Sequence, residues 1–113
     1  MARTARRHVE RGPRRRLVAE LMRLADDRAE LVSHAERPWS SITFSGARHT
    51  LVLHFEGSEA IEAGEHLIAA LPDHEFTIPG QLVADAVIVK VDHVTLPEAV
   101  LTVEAELLLL EEC

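Results

Sequence analysis

Along this chain the spacing of apolar residues switches between a helical and an extended period, and each switch marks an element. From Pro13 onward Leu17, Leu21, Leu24, Leu31 and Ala35 recur at helical spacings with one polar interruption at Arg28, and Val18, Met22, Ala25, Ala29 and Val32 run beside them. Glu20, Arg23, Asp26, Asp27, Glu30 and His34 take the other side. Two adjacent seams predict one amphipathic helix with a broad apolar face. Gly12-Pro13 opens it, because proline fits a first helical turn, and Arg37-Pro38 stops it, because a residue before proline is pushed out of the α region. Such a helix has about 24 residues and a length of about 36 Å. That is long for one side of a small domain, so its stripe packs either on a second copy of the chain or across its own sheet.

The period then becomes two. Ile42 and Phe44 alternate with Ser41, Thr43 and Ser45, and after Gly46-Ala47-Arg48 the residues Leu51, Leu53 and Phe55 alternate with Thr50, Val52, His54 and Glu56. This predicts a β-hairpin over residues 39–56. Gly57-Ser58 opens a second helix with Ser58 as its N-cap and Glu59 and Glu62 near its positive end. Ala60, Ile61, Gly64, Leu67, Ile68 and Leu71 form the buried stripe, and Pro72-Asp73 ends it.

The last forty residues predict strands. Glu75-Phe76-Thr77-Ile78 is a short one, broken at Pro79-Gly80, which suits a type II turn. Residues 82–95 carry Val83, Val87, Val89 and Val91 on one face and Leu82, Ala84, Ala86, Ile88 and Lys90 on the other, and apolar residues on both faces predict a central, covered strand. After Leu96-Pro97, Leu101, Val103, Ala105, Leu107 and Leu109 alternate with Thr102, Glu104 and Glu106, which favours a strand over a helix opening at a capping-box-like Thr95-Leu96-Pro97-Glu98. The order is α-β-β-α-β-β, with a third late strand as an option. It defines an α+β domain with a mostly antiparallel sheet and helices on one face. Residues 1–12 form a separate arm and 13–113 the single domain.

Composition narrows the picture. A chain of 113 residues buries roughly 65% of its unfolded surface without staples, and 47% apolar content excludes a disordered one. Aromatic side chains make up only 4%, with no tyrosine, which weakens readings that need stacked bases or sugars. The single cysteine, Cys113, forms no internal disulfide, so a reducing cytoplasm suits the chain better than export. No apolar stretch follows the basic N-terminus and no run is long enough to span a membrane.

Charge divides the molecule. The first sixteen residues hold seven arginines against Glu10, a formal +6, whereas the other 97 hold five basic and eighteen acidic side chains, a formal −13. Arg3, Arg6, Arg7, Arg11, Arg14, Arg15 and Arg16 can bind phosphate oxygens of a nucleic acid, lie on an acidic surface of the same or another copy, or serve as a solubilising tail. The acidic body opposes a polyanion within about a Debye length.

Catalytic chemistry finds little purchase. His8, His34, His49, His54, His66, His74 and His93 match no zinc spacing, and the weak metal candidates are His66, His74 and Glu75, close in sequence around the end of the second helix. No G-x-S-x-G elbow surrounds Ser40, Ser41, Ser45 or Ser58, and Gly57, Gly64 and Gly80 are too far apart for a phosphate loop. No cofactor is implied. Glu104 and Glu106 share a strand face and suit a solvated acidic surface.

The sequence therefore points first to a non-catalytic cytoplasmic interaction or regulatory module acting as a homodimer, with Leu17, Leu21, Leu24 and Leu31 as the dimer face. A second reading is nucleic-acid association through the arginine arm. A third is a small ligand-binding or metal-dependent enzyme with His54, Glu56, His66 or His74 at the mouth of a pocket. No membrane partner is expected.

Overall fold

Six main elements follow one another in the computed structural model, which describes residues 12–112. They are α1 (Pro13–Leu24), β1 (Glu30–Ser40), β2 (Ser45–Glu56), α2 (Ser58–Ala70), β3 (Gln81–Val94) and β4 (Val100–Glu111), with a 3-10 turn at Leu71–Asp73 after α2. All four strands pair antiparallel in the order β1-β2-β4-β3, so β2 and β4 are central and β1 and β3 are edges. The expected α-β-β-α-β-β order and antiparallel sheet are present; the optional third late strand is not.

Helix α1 is half the expected length, with 12 residues. The chain leaves it at Asp26 and Asp27, whose φ angles of 56° and 55° lie in the left-handed region. Aspartate tolerates that region better than most side chains, and two acidic groups at the negative end of a helix dipole do not favour extension. The Asp27 N–H donates to the Met22 carbonyl at 2.8 Å, closing the helix end. Residues 30–37, expected to complete the helix, lie instead in β1, and Pro38, expected to stop the helix, lies within that strand. On an edge strand its missing N–H is tolerated. The hairpin is correspondingly longer than expected, joining β1 to β2 through residues 41–44.

The core lies between the sheet and the helices. Leu51, Leu53 and Phe55 from β2 and Leu101, Val103, Ala105, Leu107 and Leu109 from β4 are buried there with Leu17 and Leu21 from α1 and Ile61 and Leu67 from α2. Gly64 brings α2 down onto this layer: a Cβ there would stand 2.7 Å from Leu101 Cδ2 and 2.9 Å from Phe55 Cδ1. Ser58 is the first helical residue of α2, and the N-cap position falls on Gly57, at φ 91°.

Two further expectations change. Residues 75–77 form no strand, and Ile78 bridges only to Gln81 across the Pro79-Gly80 turn. The Gln81 N–H donates to the Ile78 carbonyl at 3.0 Å and Gly80 has φ 79°, as a type II turn requires. The valine-rich strand β3, expected at the centre of the sheet, is an edge. Its register slips between Val83 and Asp85 and between Ile88 and Lys90, so apolar side chains fall on both faces without a neighbour strand on the outer side.

Candidate functional site

The sheet brings two sequence-distant histidines together. His34 on β1 pairs with Leu51 of β2, two residues from His49, which itself pairs with Glu36, so the two histidines are diagonal neighbours on one face of the sheet. Their rings meet through His34 Nε2 and His49 Nδ1 at 2.8 Å, with centroids 5.1 Å apart. One nitrogen donates and the other accepts, so at least one ring is neutral. His49 is the only buried polar or charged side chain among the described residues, at 2% exposure. Burial foremost, then the Arg14 guanidinium and His49, push the His34 pKa down to about 4. Burial also lowers that of His49, with Glu36 opposing and Arg14 reinforcing.

Arg14, at the start of α1, ties the pair to the helix. It donates to the His34 carbonyl at 2.8 Å and to Glu36 Oε1 at 3.1 Å. Beside them lies an open cavity of about 370 Å³ lined by Arg14, Glu36, His49, Gln81 and Glu111 among others. A general base works best with a pKa near ambient pH. The lowered basicity of His34 and the mutual engagement of the rings suit a self-satisfied polar contact that seats α1 on β1 and β2.

The other histidines are dispersed. His74 Nε2 meets Glu20 Oε2 at 2.9 Å, and the Thr77 N–H donates to the same carboxylate, which clips the segment after α2 to α1. His66 Nδ1 donates to the Leu24 carbonyl at 3.4 Å, at the end of α1. Glu75 is exposed. His66 and His74 are thus turned to different partners, and among the described residues no group of three or more His, Cys, Asp or Glu side chains could hold a metal ion. His54 belongs to the face of β2 opposite the buried Leu53 and Phe55, with Glu30 3.8 Å away, so it shares no mouth with His66 or His74. Glu56 ends β2, exposed.

The expected dimer face is largely interior. Leu17 and Leu21 have no exposed surface, Leu24 is half-buried, and Leu31 is on β1 rather than on the helix. Their seam faces the protomer's own sheet. Arg3, Arg6, Arg7 and Arg11, and with them the arm, lie outside the described residues, as does Cys113. Arg15 and Arg16 are exposed on α1.

Apolar surface is concentrated elsewhere. On β3, Leu82, Val87, Val89, Val91 and Val94 are between 37% and 47% exposed, and Leu96 at the β3–β4 turn is 79% exposed. The opposite edge is more charged: β1 presents Glu30, Glu36, Arg37 and Pro38, which discourage strand addition, beside the exposed Val32, and Ile42 and Phe44 are exposed in the β1–β2 connection. No signal in the sequence alone distinguishes an edge valine from a central one.

No protein-family model, curated protein or solved structure matches the chain. Among the described residues no helix is long and apolar enough to cross a membrane.

Proposed function

We propose that this chain is a non-catalytic interaction module that acts as a homodimer, and that its association surface is the β3 edge with the adjoining β3–β4 turn. The observation that carries this reading is the 14-residue β3 at the sheet margin with five exposed apolar side chains. A strand apolar on both faces belongs in the middle of a sheet, and β3 attains such a place when a second strand lies along it. The α1 seam of Leu17 and Leu21 is consumed by the protomer core. A reducing cytoplasmic setting agrees with the lone Cys113. Sedimentation equilibrium on the full chain tests the reading: a concentration-dependent dimer is expected, and a monomer at every concentration refutes it.

A further inference from the structure

The register of β3 specifies how two copies would meet. Strand β4 serves as the ruler: Asp85 stands opposite Leu108, Val87 opposite Glu106 and Lys90 opposite Glu104. These three β3 residues share one face, at equal two-residue steps along β4, because the bulge at Val89 absorbs the extra residue before Lys90. Val87 is therefore the midpoint between a carboxylate and an ammonium group. Turning the strand end over end about Val87 exchanges the positions of Asp85 and Lys90.

We infer that two copies join through an antiparallel β3–β3 pair on a two-fold axis at Val87, with Asp85 of each facing Lys90 of the partner subunit. This rests on the homodimer reading and adds its geometry. The same register sets Ala86 opposite Ile88 of the partner subunit and Val83 opposite Val91 of the partner subunit, on the helix-bearing face. That gives the half-exposed Val91 an apolar neighbour which its own protomer does not supply. An isologous contact repeats every such pair twice, and the two sheets become one sheet of eight strands.

Charge argues for a second copy as the occupant. Lys90 is the only lysine in a chain whose last 97 residues carry a formal −13, so two bodies repel except where a cation meets a carboxylate. Among the described residues Lys90 makes no ion pair within 4 Å, although Glu104 stands opposite it on β4, and Glu106, opposite Val87, pairs with Arg48 at 3.3 Å. The two-fold arrangement supplies Lys90 with Asp85 and Asp85 with Lys90 in one operation. Between the bulges at Ala84 and Val89 the pairing is uninterrupted from Asp85 to Ile88, a stretch that contains Val87.

The test uses charge reversal and cross-linking in the full chain. Asp85→Lys and Lys90→Asp should each weaken the dimer on the order of tenfold, since each turns two cross-strand attractions into repulsions. The double variant Asp85→Lys/Lys90→Asp should recover the original affinity. Val87→Cys in a Cys113→Ser background should form an intermolecular disulfide on mild oxidation, because directly opposed antiparallel residues have Cα atoms about 4.5–5.5 Å apart, within disulfide reach. A dimer that ignores the single reversals, fails to recover in the double variant, or gives no Val87→Cys cross-link overturns this register and leaves dimerisation standing. A wild-type chain that never dimerises removes both.

Discussion

His34 Nε2 and His49 Nδ1 lie 2.8 Å apart, and this contact joins the first two strands beneath the start of α1. Its two partners are fifteen residues apart in sequence and meet only because β1 turns back along β2. The pair has a direct pH consequence. An unfolded histidine titrates near 6.5, whereas folded His34 does so near 4 and folded His49 below its ordinary value. Below pH 6.5 the unfolded chain therefore binds more protons than the folded one, and stability falls as the pH drops from 6.5 towards 4. Thermal melts across that window should show a steeper loss for the wild type than for the His34→Leu/His49→Leu variant, which removes both polar partners together. Parallel curves would refute the linkage.

Arg14 and Glu36 act on this pair with opposite sign. Arg14→Ala should move the His34 titration upward, towards the ordinary histidine range, and Glu36→Gln should move those of both rings downward. Ring-proton NMR across a pH series reads this directly. The Arg14–Glu36 bridge has both side chains more than 40% exposed, so its loss should change unfolding free energy by no more than about 1 kcal/mol.

Leu17 and Leu21 belong to the protomer interior. Leu17→Ala and Leu21→Ala should each cost about 2–5 kcal/mol in denaturant unfolding. Their effect on association, measured under conditions where the variants remain folded, should be small. A variant that loses the dimer while keeping its stability would return α1 to the interface.

Gly64 sets the distance between α2 and the sheet. Gly64→Val places branched carbons against Leu101 and Phe55 and should destabilise the fold by about 1–3 kcal/mol, measured by urea midpoint. Gly80→Ala tests a different constraint, the positive φ of the type II turn, and should lower the same midpoint without a steric clash, since no atom lies within 4 Å of a Cβ there.

Legibility in the sequence followed the regularity of the backbone. Strand β4 and helix α2 keep an uninterrupted period, and their places were plain from Leu101 to Leu109 and from Ala60 to Leu71. Strand β1 was hidden by its own bulge. The register shift between Leu31 and Ser33 puts Leu31 and His34 on the same face three residues apart, a spacing that mimics a helix. With Ala29 and Val32 nearby, the apolar series of α1 continues through this segment in sequence. Asp26-Asp27 carried the stop signal, but among charged residues it looked like part of a solvated face. The His34–His49 contact exists only across the hairpin, so a helical reading of residues 30–37 hides it. The edge position of β3 was obscured in the same manner: bulges at Ala84 and Val89 spread apolar residues over both sides, the pattern of a covered strand.

Pro38 has a consequence for how far self-association can run. On this edge strand it removes a hydrogen-bond donor near the C-terminal end of β1, while the other margin would be spent if β3 met its counterpart. Accretion of strands would then end at a closed pair and not propagate into a fibre. A single ring-locked residue on the far side of the molecule would limit the stoichiometry.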